Sequence, residues 1–184
     1  MTGQAINRRL VYASQDSNVE EIKQILADEV DVNVRDDKNW TPLHWASTGN
    51  NLDAVRLLIE HGADPNAKNE FGYTPLHMAC AHGHMQAARL LIEAGADPNT
   101  RAQSRTPLHL ACSNGRPAIV RLLLSHGADP GAENAKGKTA LTEALELGDA
   151  NPKREEVLEI FREVVPEFCF AVLHTANTSP GLML

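Results

Sequence analysis

The sequence predicts an all-α repeat solenoid of helix-turn-helix units joined by β-hairpin loops, about five units counting the two caps. Three features of the chain predict it. The hexamer Thr74-Pro75-Leu76-His77-Met78-Ala79 has near copies at 41–46 and 106–111 and a degraded fourth at 139–144, spaced 33, 32 and 33 residues apart. A self-similarity of that length marks stacked supersecondary units, none of which can bury its apolar face alone. A second segment recurs in step with the first: His61-Gly62-Ala63-Asp64-Pro65-Asn66, Ala94-Gly95-Ala96-Asp97-Pro98-Asn99 and His126-Gly127-Ala128-Asp129-Pro130-Gly131. Between the two motifs runs an apolar stripe at helical spacing, Leu52, Val55, Leu58 and Ile59 in the first full unit.

The hexamer and the G-A-D-x-N-like stretch resemble the ankyrin-repeat family over roughly residues 5–165. The resemblance implies an ankyrin stack and a non-catalytic protein-protein interaction module, a scaffold, adaptor or inhibitor. It also implies binding on the concave surface, formed by the hairpin tips and the first helices. Residues 1–165 are then the repeat domain: 5–34 an amino-terminal cap, 35–67, 68–100 and 101–132 full repeats, and 133–165 a carboxy-terminal cap. Residues 166–184 form an apolar or flexible tail of unknown role. In proteins resembling this one the hexamer histidine ties its turn to the next repeat by hydrogen bonds, and Asn33, Asn66 and Asn99 stand where asparaginyl hydroxylation occurs.

Along the chain, the cap at 5–34 carries Leu10-Val11-Tyr12-Ala13 in place of the hexamer, then Val19, Ile22, Ile25 and Leu26 at helical spacing. Its outward residues, Arg8, Arg9, Gln15, Glu20, Lys23 and Gln24, are polar, as the exposed end of a stack requires. In each full repeat the hexamer threonine caps the first helix and proline comes next, in its first turn. Leu43 with Ala46, Leu76 with Ala79, and Leu108 with Ala111 share a helix face and belong to the core. Gly62, Gly95 and Gly127 end the second helices. The third unit lacks the loop glycine seen at Gly72 and Gly137, so residues 101–105 must turn differently. The last unit lengthens its inter-helix turn at 148–152, after which Glu155 and Glu156 suit the dipole of the final helix. The apolar run at 168–173 has three readings: a strand-like arm on the last helix pair, a partner-docking peptide, or a remnant of cloning or alternative splicing.

A net charge of −7 argues against nucleic acid as a partner, and no run of 18 apolar residues argues for a membrane. Three cysteines and no apolar leader in the first 30 residues are read as reduced thiols in a cytoplasmic or nuclear protein, and a monomer is expected. No nucleophile elbow, phosphate loop or zincin motif occurs, so neither enzyme activity nor a cofactor is expected. An enzyme, a metal protein using its His and Cys residues, and a structural subunit of an obligate complex are the competing readings. Cys80, His82 and His84 form the only local cluster with metal-like spacing, and it lacks a second half. Cys80 and Cys112 are read as small buried side chains.

The candidate partner-binding residues precede each hexamer. They are Asp37, Lys38 and Trp40 in the first finger, Glu70, Phe71 and Tyr73 in the second, Gln103 and Arg105 in the third, and Lys136 and Lys138 in the fourth. In a chain only 4% aromatic, Trp40, Phe71 and Tyr73 are expected to form an anchor with acidic neighbours. Arg105, Lys136 and Lys138 are expected to receive a carboxylate-bearing part of the partner, the bland alternative being packed aromatics and solvated charges.

Overall fold

The computed structural model describes residues 3–28, 30–148 and 152–178. Five helix pairs succeed one another: α1 (Gly3–Gln15) with α2 (Val19–Leu26), α3 (Pro42–Thr48) with α4 (Leu52–Glu60), α5 (Pro75–His82) with α6 (Met85–Glu93), α7 (Pro107–Ser113) with α8 (Pro117–Ser125), and α9 (Ala140–Leu145) with α10 (Pro152–Val164). An eleventh helix, α11 (Pro166–Thr178), closes the described chain. First helices pack on first helices and second on second, so the units form two layers.

The hexamer explains the inner layer. Leu43, Leu76, Leu108 and Leu141 are fully buried, as are Ala46, Ala79, Ala111 and Ala144, whose small side chains let the neighbouring helix close in. Val55, Leu58, Leu91, Ile119, Leu123 and Phe161 supply the second layer, also out of water. Each such leucine contributes about 1.5–3 kcal/mol by leaving solvent. Gly62 ends α4 at φ +85°, a conformation a Cβ would strain, and Gly95 and Gly127 repeat it.

Neighbouring units are tied by side chains that each repeat supplies twice. His44 Nδ1 accepts from the Thr41 N–H (3.2 Å), and its Nε2 donates to the Tyr73 carbonyl of the next unit (2.9 Å). His77 reaches the Arg105 carbonyl (3.4 Å) and His109 that of Lys138 (3.1 Å) in the same way. On the other motif, Asn33 donates to the Gly62 carbonyl (3.2 Å) and accepts from the Asp64 N–H (2.8 Å). Asn66 repeats this with Gly95 and Asp97, and Asn99 with Gly127 and Asp129. The next such position is Gly131, where the row of bridges ends. In the last unit Thr142 replaces histidine and caps Thr139 locally, accepting from its N–H at 3.1 Å.

The fingers between units are turns with almost no strand pairing. Among the described residues only two isolated bridges occur, Ala102 to Arg105 and Glu133 to Thr139. The third finger does turn differently: Gln103 (φ +47°) and Ser104 (φ +67°) are both left-handed, the pattern of a two-residue hairpin turn without glycine. The lengthened turn before α10 falls on 149–151, outside the described residues.

One expectation is corrected. The apolar run at 168–173 is no strand-like arm; it lies within α11. Pro166 and Glu167 suit a first helical turn, and the stretch from Phe168 to Thr178 contains no glycine or proline to interrupt the helix. Phe168, Cys169 and Val172, at i, i+1 and i+4, pack against the core formed by the last pair, with Cys169 buried. The helical period therefore places one side of an unalternating apolar run on the stack.

Candidate interaction surface

The first, second and fourth fingers each open with an Asx-type turn that holds its own backbone. In the first, Asp36 Oδ1 accepts from the N–H groups of Lys38 and Trp40, both at 2.9 Å, and Oδ2 accepts from Trp45 Nε1 at 3.1 Å. Trp40 lies over Trp45 with ring centroids 4.5 Å apart and sits 5.7 Å from His44, so it is half-buried rather than projecting. Asp37 and Lys38 are exposed, and their side chains meet no partner among the described residues. In the second finger the buried Asn69 accepts from Phe71 and Tyr73, each at 3.0 Å. The Glu70 N–H donates to the Lys38 carbonyl (3.1 Å), which ties the first two tips together. Phe71 is 50% exposed, whereas Tyr73 is half-buried, edge-on to His77, and donates its hydroxyl to Gln103 (3.3 Å).

The third and fourth fingers differ in what their cations meet. Arg105, expected to await a partner's carboxylate, donates to Glu143 (2.5 Å), to Ser113 Oγ (2.6 Å) and to the His109 carbonyl (3.3 Å). Lys138 is paired with Glu146. Asn134 holds the Lys136 and Lys138 N–H groups and also donates to Glu143 (2.8 Å). Of the three expected cations, Lys136 alone is exposed without a side-chain partner among the described residues. Gln103, Arg105, Lys136 and Lys138 do come together, lining a pocket of about 440 Å³ with Glu143 and Glu146.

At the other end, a groove of about 840 Å³ runs between α1 and the first finger. It contains Asp37 and Lys38 but also Arg8, Val11, Tyr12, Gln15, Arg35 and Trp45, none of which sequence reasoning placed in the site. A signal for two of them was present. Tyr12 and Trp45 occupy the fifth hexamer position, as do Met78, Leu110 and Glu143.

Comparison with known proteins settles the family. A family model described as ankyrin repeats (three copies) matches residues 10–102, and a second, ankyrin repeats (many copies), matches residues 91–144. The chain belongs to the ankyrin-repeat family. Ankyrin repeats are protein-protein interaction modules, a non-catalytic fold. A search of curated proteins finds no match to this chain.

Seven histidines of the ankyrin stack are engaged with its own backbone. Burial lowers the His44 and His77 imidazoles to about 4, against weaker upward pulls from the carbonyls they bond. Burial also lowers His109 and His84. His61 and His126 lie 2.8 Å from the carbonyls of Leu57 and Leu122, at the ends of α4 and α8. The His82 and His84 rings stack at 5.8 Å, each held by a separate carbonyl, Met78 and Thr48. Burial pushes the thiols of Cys80 and Cys112 well up, so both sit as neutral core groups. Among the described residues no group of three or more His, Cys, Asp or Glu side chains is placed to hold a metal ion. No helix there is long and apolar enough to cross a membrane.

Proposed function

We propose that this ankyrin-repeat chain is a non-catalytic adaptor, scaffold or inhibitor that recognises one partner protein across its finger tips and first helices, as a monomer in the cytoplasm or nucleus. The observation that carries the reading is Phe71, a large apolar side chain 50% exposed on a tip held in place by the Glu70–Lys38 backbone bond and flanked by exposed Asp37, Lys38 and Glu70. An aromatic on a pre-ordered turn binds without paying much conformational entropy, and a charged rim supplies orientation. Trp40, Trp45 and Tyr73, in the same two units, lie tilted or edge-on against one another or the hexamer histidines.

Phe71→Ala is the sharpest test, because the side chain is exposed and its removal leaves the stack intact. Partner capture from host extract should fall at least about tenfold while the melting curve stays within about 0.5 kcal/mol of the parent. Unchanged capture by Phe71→Ala and Glu70→Ala would remove the fingers from the binding surface. The triple alanine variant at Trp40, Phe71 and Tyr73 is less clean, since two of its three side chains also hold the fold.

A further inference from the structure

We infer that the groove between α1 and the first finger docks a partner segment that presents a carboxylate beside an apolar side chain. This rests on the interaction reading above and names the chemistry of the partner at one end of that surface.

The groove is lined by Val11, Tyr12 and Trp45 together with charged side chains. Tyr12 on α1 is 59% exposed, and Trp45 on α3 occupies the equivalent position one unit on, so two aromatic side chains line the same groove from neighbouring first helices. Around them stand three cations, Arg8, Arg35 and Lys38, and three carboxylates, Asp31, Asp36 and Asp37. The formal charges cancel, and two of the three carboxylates are held by donors of the fold, whereas Asp37 is exposed with no partner among the described residues. Asp31 accepts from the Asn33 N–H (2.9 Å), and Asp36 accepts from two backbone N–H groups and the Trp45 indole. Donors aimed at a carboxylate offset its negative charge.

Two of the three cations receive no such compensation. Arg8 and Lys38 have no side-chain partner among the described residues, and Arg35 donates only to the carbonyls of Asn39 and Lys68. No carboxylate lies within ion-pair distance of any of the three among the described residues. An incoming carboxylate completes Arg8 and Lys38 by charge-assisted hydrogen bonds, and the apolar side chain next to it covers Tyr12 and Trp45. The pocket at the fourth finger keeps one cation, Lys136, without a side-chain partner among the described residues, since Arg105 and Lys138 already hold Glu143 and Glu146. With a net charge of −7 the chain as a whole repels acidic segments, so selection for one must come from this local set.

The test is selection of a random dodecapeptide library on the full chain, then fluorescence anisotropy of the selected peptides made synthetically. The expected consensus carries Asp or Glu beside Leu, Phe or Trp. Changing that acid to its amide should weaken binding about tenfold or more, as should the double variant Arg8→Gln, Lys38→Gln at unchanged melting temperature. The affinity of the parent should fall with added salt. A consensus rich in Lys and Arg, or equal binding by acid and amide peptides, would overturn the inference. If the double variant binds normally while Phe71→Ala does not, the groove assignment fails and the interaction surface stands. Failure to select any peptide, with Phe71→Ala also silent toward the partner, counts against both.

Discussion

The first and fourth fingers are built on the same turn and put their charges to opposite uses. In both, one Asx side chain holds the N–H groups two and four residues on: Asp36 for Lys38 and Trp40, Asn134 for Lys136 and Lys138. The difference lies in the helix behind. Where the fifth hexamer position is Trp45, the indole takes the spare oxygen of Asp36, and Lys38 has no ion-pair partner among the described residues. Where it is Glu143, a single carboxylate gathers Asn134 and Arg105 and closes the finger onto α9. One helix residue thus decides whether the Asx side chain of a finger is tied to an indole or to a carboxylate. The second finger lies between the two cases. Its Asn69 Nδ2 is buried without a partner, because Met78 stands where the others have indole or carboxylate.

The largest effect that can probe this contrast is acidification, since the two deeply buried histidines serve the first two full repeats and the last unit has Thr142 instead. His44 and His77 titrate near 4 in the fold against 6.5 in the open chain, so as pH falls the unfolded state takes protons first. Their contribution is complete above about 6.5, erodes through the interval down to about 4, and is gone below it. Each is worth about 3 kcal/mol on that count. Urea melts at neutral pH and near the lower end of that interval should show the loss, with hydrogen exchange rising in α3 and α5 before α9. A flat profile would mean that protonated imidazole is tolerated in the stack.

Glu143→Ala comes next. It leaves Arg105 and Asn134 without their shared partner in a largely covered site, and should cost about 2–3 kcal/mol in chemical denaturation. Lys138→Ala, which breaks the more exposed pair with Glu146, should cost under about 1 kcal/mol. Smallest of all, Asp37→Ala and Lys38→Ala at the open finger should move stability by no more than about 0.5 kcal/mol, because neither side chain touches the fold. Equal costs at both ends would erase the distinction.

Much of the architecture was legible because the same physical need recurs every unit. A threonine and proline that start a helix, a leucine and alanine that share its inner face, and a glycine that ends the next helix carry their meaning locally. The third finger's departure was legible too, from a missing residue and a missing glycine, although the left-handed pair Gln103 and Ser104 was not. The tail misled because a run of apolar residues has no period until one knows which side of it is covered. In the candidate surface, the exposure of Phe71 and Lys136 follows from their position before the hexamer, but the pairing of Arg105 does not. Its partner Glu143 is 38 residues away and belongs to the next unit.

Taken alone, the sequence determined what each repeat must do to exist: where its helices begin and end, and which faces meet. Those requirements act over a few residues or over one fixed period, and a linear chain displays both. Only the tertiary structure decided which charges remain available, because pairing depends on side chains that different units bring within about 3 Å. Arg105 and Lys138 pair with Glu143 and Glu146, while Arg8 and Lys38, in the groove beside Tyr12 and Trp45, have no ion-pair partner among the described residues.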